Sequence, residues 1–169
     1  MRGAERLNDT IFVLARALTY AALFVGLLLI LVPAGVLSFA GVGRPTSLGA
    51  WQIAGILLAT AGASLALACV LTFVFVGKGT QAPFDPPRRL VVRGPYRLVR
   101  NPMYIGAALA LAGAALFFQS PALLAYAAAF LLIAHVFVMT YEEPTLRAMF
   151  GKDYEAYCAT TGRWLPRSR

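Results

Sequence analysis

The sequence is poor in the side chains that build metal sites. Its 169 residues include one histidine and two cysteines, Cys69 and Cys158, which stand far apart in the chain. Structural zinc sites use about four Cys or His ligands at short spacings. We therefore expect no metal centre in this protein.

Charged residues are also scarce, and acidic ones most of all. Only 13% of the residues are charged, with 15 Lys and Arg against 7 Asp and Glu, which gives a formal net charge of +8. A positive charge can indicate nucleic-acid binding, but no run of Lys and Arg here alternates with aromatic residues along a soluble face. The basic residues instead cluster between hydrophobic segments, as in loops that contact anionic lipid headgroups. This placement argues against nucleic acid and for a lipid bilayer as the partner.

Hydrophobic residues dominate the sequence. They make up 60% of it, and the mean hydropathy is +0.72, which is more apolar surface than a small soluble domain can bury. A transmembrane helix needs about 20 apolar residues. Four apolar stretches cover, approximately, residues 11–32, 51–76, 103–118 and 121–141, of which the third is the shortest. These features predict a single all-α integral membrane domain over residues 1–169, with four transmembrane helices.

The basic residues fall mainly on one side of these four spans. Six of them lie in the segment 77–102 and five follow Tyr141, whereas Arg44 alone lies on the opposite side. By the positive-inside rule, both termini and the 77–102 segment are cytoplasmic. The size of the chain and its lack of a targeting signal favour a bacterial-type inner membrane.

The segment after Pro144 has the pattern of an amphipathic helix. Its apolar residues recur at steps of three and four. They are Leu146, Met149, Phe150, Tyr154, Tyr157 and Cys158. We expect a C-terminal amphipathic cytoplasmic helical tail, broken near Gly151, that lies on the membrane or under the other helices.

Three X-Pro steps mark predicted helix ends. They are Asn101-Pro102, Ser120-Pro121 and Glu143-Pro144. The residue before proline avoids the helical conformation, whereas proline fits the first helical position, and Asn and Ser are good N-caps. We expect Asn101 and Ser120 to cap the third and fourth spans, and Glu143 to mark a break before the tail. Because residues 119–120 are too few for a domain, the two spans should form a tight hairpin.

This hairpin would bring polar residues together at the cytoplasmic interface. They are Arg97, Arg100, Asn101, Tyr104, Tyr141, Glu142 and Glu143. A helix N-terminus attracts anions and adjacent carboxylates attract a cation, so one small zwitterionic ligand could satisfy both. Alternatively, the Glu pair is a solvated helix end neutralised by nearby arginines. His135 is either a buried, hydrogen-bonded side chain or part of a lipid-facing cleft.

Two blocks of sequence resemble a known superfamily. "GPYRLVRNPMYIG" and, after the hairpin, "YEEPTLRAMFGKDYEAYCATTGRWLPR" are similar to the integral-membrane methyltransferases, which include isoprenylcysteine carboxyl methyltransferases and phospholipid N-methyltransferases. The resemblance covers residues 93–167 and implies S-adenosylmethionine as cofactor. It implies that the cofactor-binding residues are Arg100, Asn101, Pro102, Tyr104, Gly106, Glu142, Tyr154, Tyr157 and Arg163. Glu143 is then the expected catalytic base, and the segment Arg163 to Pro166 is expected to close over the site.

The resemblance implies methyl transfer to a lipid or lipophilic small molecule at the cytoplasmic interface. Asn101 stands where the isoprenylcysteine branch has histidine, and residues 135–141 lack that branch's arginine. The acceptor atom thus stays open between nitrogen, oxygen and sulfur, as does the oligomeric state. Two alternatives are a non-catalytic membrane scaffold or accessory subunit, and a nicotinamide-dependent reductase related to the sterol reductases.

Overall fold

The structure is a computed structural model that describes residues 15, 19–20, 22–77 and 89–167. Five long helices and one short 3₁₀-helix, Gly94–Arg97, lie within these ranges. The long helices are α1 (Ala22–Phe39), α2 (Ala50–Thr72), α3 (Pro102–Phe118), α4 (Pro121–Phe137) and α5 (Glu143–Thr160). The predicted start of the first span near residue 11 and the basic positions 78 and 88 lie outside the described residues.

Three helical segments in the described part of the chain are long and apolar enough to cross a membrane, by length and composition. They are Ala22–Phe39, Ala50–Val76 and Pro121–Phe150, whereas the apolar helix α3 is shorter. The first continues well beyond residue 32, because Pro33 lies in the first turn after the π-helical segment Val25–Leu31. The hydrogen-bond pattern changes there, so the missing N–H of proline interrupts little.

Helices α2 and α3 pack with their backbones in close contact. A Cβ atom added to Gly62 would lie 2.5 Å from the carbonyl oxygen of Gly106, and one added to Gly106 would lie 2.8 Å from that of Gly62. Real Cβ atoms do not approach backbone this closely, so both positions require glycine. Small residues of this kind let membrane helices associate through van der Waals contact. This packing makes α3 the central helix, with α2 on one side of it.

The hairpin between α3 and α4 confirms the predicted turn. Gln119 adopts the left-handed conformation (φ 50°) at the end of α3. The backbone N–H of Leu123 donates to the Ser120 side chain at 3.2 Å, so Ser120 caps α4 as expected. Helix α1 lies against this hairpin, where the Tyr126 hydroxyl donates to the Leu28 carbonyl at 2.8 Å.

The break expected at Glu143 is not present. Helix α4 passes through a π-helical turn, Val138–Glu142, directly into α5. The wider turn alters the hydrogen bonding just where Pro144 has no N–H to donate, so the chain stays helical. The interruption comes at Gly151, whose backbone (φ 49°, ψ −122°) is not helical. A left-handed φ of this kind suits glycine, and it turns the second half of α5 back toward the start of α3.

Candidate functional site

Glu143 is the centre of a cluster of arginines. As the first residue of α5 it is 3% exposed. Arg163 donates to both of its carboxylate oxygens, from Nε at 2.6 Å and from Nη2 at 2.9 Å. Arg100 Nη1 lies 3.2 Å away and Arg147 Nη1 lies 3.8 Å away. A buried carboxylate with a bidentate arginine partner is held in one geometry, so Glu143 joins α5, the start of α3 and the C-terminal segment.

Arg100 connects this cluster to the second half of α5. Its Nη1 atom also contacts the Cys158 sulfur at 2.6 Å and the Tyr154 hydroxyl at 3.4 Å. Within the described ranges, its Nε atom is buried and has no hydrogen-bond partner. A buried guanidinium N–H without an acceptor is costly, so this donor is available for an anionic or carbonyl group of a ligand.

Glu142 has a different environment from its neighbour. Its Oε2 atom accepts a hydrogen bond from the Tyr104 hydroxyl at 3.1 Å. Among residues 89–167, no arginine or lysine lies within ion-pair distance of Glu142. Adjacent residues of a helix point about 100° apart, which separates the two carboxylates. Within the described residues, Glu142 is therefore a carboxylate without a cation, whereas three arginines surround the neighbouring Glu143.

Residues Thr161 to Pro166, which we name the strap, run across the start of α3. The Arg100 backbone N–H donates to the Gly162 carbonyl at 2.8 Å. The Asn101 side-chain amide donates to the Arg163 carbonyl at 3.3 Å and makes no capping bond to α3. The expectation that Asn101 is a side-chain N-cap is therefore wrong, because the docked strap offers its amide a different partner.

Trp164 of the strap lies at the open end of the hairpin, between the last turn of α4 and the first turn of α3. Its indole N–H donates to Nδ1 of His135 on α4 at 2.9 Å. Its ring also lies edge-on to that of Tyr104 on α3, with 6.4 Å between the centroids. Of the two alternatives for His135, the hydrogen-bonded one is therefore observed, although the side chain is only partly buried.

The tyrosines of α5 lie on the buried side of the cluster. Tyr154 is 2% exposed, and Tyr157 donates to the Tyr96 carbonyl at 2.6 Å. Burial is the main cause that raises the pKa of each phenol above its usual value, so both are neutral donors at physiological pH. The hydrogen bond to Glu143 raises the pKa of Arg163, which keeps this guanidinium charged.

The structure brings together most of the residues that the sequence singled out. Direct contacts connect Arg100, Asn101, Glu143, Tyr154 and Arg163, and the Tyr104–Glu142 pair adjoins them. Three others lie outside this group. Pro102 is buried at the start of α3, Gly106 packs against α2, and Tyr157 holds the turn at Tyr96.

One residue of the cluster was missed by the sequence analysis. Arg147 lies four residues after Glu143 and also bonds to Glu155 at 2.8 Å. Its guanidinium carbon lies 6.0 Å from the centroid of the Tyr154 ring. The i, i+4 spacing of opposite charges on a predicted helix is a signal that could have identified it.

Comparison with known proteins gives one match. A model of the family described as phospholipid methyltransferase matches residues 50–153, well over half of the chain. The matched part contains α2, the hairpin and both carboxylates, and it ends before Tyr154 and the strap. No curated protein and no solved structure matches the chain.

Proposed function

The chain belongs to the phospholipid methyltransferase family, and from this premise we propose that it is a membrane enzyme that uses S-adenosylmethionine. The acceptor is a lipid or lipophilic small molecule, and the reaction takes place at the cytoplasmic interface. The observation that carries the proposal is a carboxylate without a cation and a buried N–H donor without an acceptor in the same cluster. Glu142 has no cationic partner in the described part of the chain, and the Arg100 Nε donor nearby has no acceptor.

These unmet groups fit the cofactor. Its carboxylate needs N–H donors, which Arg100 supplies through its free Nε atom. Its sulfonium group, which faces the acceptor during transfer, needs an anion or an aromatic face, which Glu142 and the rings of Tyr104 and Trp164 supply. Asn101, Tyr154 and Arg163 hold Arg100 and the strap in place, whereas Pro102, Gly106 and Tyr157 support the site from outside.

The contacts favour a division of roles opposite to the one expected from the sequence. Glu143 accepts hydrogen bonds from Arg163 and pairs with Arg100, so a proton would have to compete with two guanidinium groups. Glu142 accepts only the Tyr104 hydroxyl among the described residues. We therefore assign Glu142 as the base and Glu143 as the residue that organises the arginines.

The same contacts favour an amine as the acceptor. S-adenosylmethionine supplies a methyl group that its sulfonium has already activated. Glu142 attracts an ammonium headgroup, takes its proton and leaves the nitrogen lone pair free to attack, while Tyr104 fixes the carboxylate through its hydroxyl. A carboxylate acceptor would need an arginine without an ion-pair partner, but Arg100, Arg147 and Arg163 are already paired with Glu143.

The helices fit an arrangement with four spans. The short helix α3 joins the three longer apolar segments, and the hairpin returns Glu142 to the level of Tyr104. With the positive-inside rule, both termini and the site face the cytoplasm. The acceptor then reaches Glu142 from the bilayer, and a bacterial-type inner membrane remains our proposal for the location.

The test is methyl transfer to lipids by the purified protein in bilayer nanodiscs. The protein is incubated with S-adenosylmethionine labelled in the methyl group and with a bacterial lipid extract. We expect lipid-soluble label from which mild alkali releases no volatile methanol, because N-methyl groups are stable and methyl esters are not. Glu142→Gln should lower the rate about 100-fold or more, the usual contribution of a general base. Glu155→Gln, which changes a carboxylate that is 59% exposed, should not.

Two outcomes would contradict the proposal. Label released by mild alkali as volatile methanol would show that the acceptor is a carboxylate and would overturn the assignment of an amine. No label in lipid or in any extracted small molecule, from protein that is folded, would favour a scaffold or accessory subunit.

A further inference from the structure

His135 is a polar residue placed among apolar ones. It lies within the apolar part of α4, between Ala134, which is buried, and Val136, which is 52% exposed. Its Nδ1 atom accepts the indole N–H of Trp164 at 2.9 Å, so the ring proton must sit on Nε2. The two ring centroids lie 5.9 Å apart. A histidine in this setting is costly unless it has a partner, and its partner here is on the strap.

Trp164 transmits this contact to the proposed site. Its ring packs edge-on against Tyr104, whose hydroxyl donates to Glu142. The preceding residue, Arg163, holds Glu143 with its side chain and receives the Asn101 amide on its carbonyl. The strap thus contacts Glu143 directly, through Arg163, and is connected to Glu142 through Trp164 and Tyr104.

We propose that His135 is a positioning residue: by accepting the Trp164 indole N–H, it holds the strap over the hairpin and keeps the Tyr104 ring in place beside Glu142. This inference deepens the proposed function and rests on it for its effect on ligand binding. Its effect on the strap does not depend on any activity.

An indole N–H in an apolar setting has few other acceptors. Water can replace the histidine at a soluble surface, but it is scarce at the level of a membrane helix. Removing the acceptor should therefore release the strap and not merely loosen one contact. An asparagine at position 135 can place its side-chain oxygen close to the position that Nδ1 of the histidine occupies. It can therefore accept the indole N–H and serves as the conservative variant.

Trypsin cleavage after Arg163 measures how often the strap opens. The side chain of Arg163 is 30% exposed and bonded to Glu143, so cleavage requires release of the strap. We compare the detergent-solubilised parent with His135→Leu, His135→Asn and the control Val136→Leu. Intact mass spectrometry follows the loss of the peptide that begins at Trp164, and cleavage after the exposed Arg97 is the internal reference.

We expect His135→Leu to speed cleavage after Arg163 about 5- to 30-fold relative to the reference, the effect of losing one buried hydrogen-bond partner. His135→Asn and Val136→Leu should stay close to the parent. Equal rates in His135→Leu and the parent would overturn the inference. So would a parent cut as fast after Arg163 as after Arg97, or an asparagine variant that behaves like leucine.

A second readout separates this inference from the proposed function. The same variants are titrated with S-adenosylhomocysteine. We expect His135→Leu to weaken binding by the factor by which the closed fraction of the strap falls, and His135→Asn to restore it. Unchanged binding in His135→Leu would overturn the positioning role. A parent that does not bind at all would count against the proposed function alone, because the proteolysis result stands independently.

Discussion

Glu143→Gln should destabilise the protein strongly, and more than any other single carboxylate change in the described part of the chain. The substitution keeps the shape of the side chain but removes the negative charge that Arg163 and Arg100 share. Their side chains are 30% and 11% exposed, and that of Glu143 is 4% exposed. Removing one partner of a buried ion pair costs about 3–5 kcal/mol, because the remaining charge is left uncompensated.

The exposed members of the cluster contribute much less to this loss. Arg147 lies 3.8 Å from Glu143 and is 47% exposed, so its share is within about 0–1 kcal/mol. We therefore expect Glu143→Gln to lower the free energy of unfolding by about 3 kcal/mol. For a chain of this length, that corresponds to a decrease in Tm of roughly 6–12 °C.

Thermal unfolding in detergent, followed by circular dichroism, measures this decrease. Glu155→Gln is the matched control, because it removes a carboxylate that is 59% exposed and paired with Arg147. It should cost less than about 1 kcal/mol. Glu142→Gln should also be mild, since that carboxylate has no cation to leave behind in the described chain. A Glu143→Gln protein as stable as the Glu155→Gln control would refute the reasoning.

Three further predictions concern packing, capping and pH. Gly62→Ala should lower the free energy of unfolding by about 1–3 kcal/mol, because its methyl group would clash with the α3 backbone. Gly35→Ala, whose methyl group would meet nothing within 4 Å, should stabilise helix α1 by about 0.5–1 kcal/mol. Denaturation of both variants in mixed micelles compares them. Ser120→Ala should cost about 1 kcal/mol as a lost N-cap and Ser120→Gly a few tenths, in the same assay, and equal losses would contradict the capping role. Because burial raises the pKa of Tyr154 and Tyr157 in the folded state, the folded chain holds these protons more tightly than the unfolded chain, and the free energy of unfolding should fall as the pH rises above about 10. The double Phe variant should lose that dependence, and a parent whose stability does not change between pH 9 and 11 would argue against buried phenols.

Local sequence signals predicted the helices that carry the site. The lengths of the apolar runs indicated α2, α3 and α4, because burial of apolar side chains and internal backbone hydrogen bonds are set by the segment itself. Ser120-Pro121 predicted the start of α4, since a cap and a first-turn proline act within one turn of helix. The two-residue connection predicted the hairpin, and with it the approach of Tyr104 to Glu142.

The sequence could not predict features that depend on distant parts of the chain. Asn101 is a good N-cap by residue type, but its amide bonds to the Arg163 carbonyl, 62 residues later. Pro144 has the signal of a helix break, yet the π-helical turn before it removes the conflict. The different surroundings of Glu142 and Glu143 follow from their directions on the helix and from where the arginines dock. The identities of adjacent residues alone do not determine which partners each carboxylate has in the folded chain.

Binding of S-adenosylmethionine to the detergent-purified parent, measured by calorimetry, tests the central claim most directly. We expect saturable binding at one site, which Tyr104→Phe and Glu142→Gln both weaken and which Glu155→Gln leaves unchanged. Such a result would establish that the Tyr104–Glu142 pair belongs to a cofactor site. No binding by a parent shown to be folded, or equal binding by all four proteins, would contradict the account.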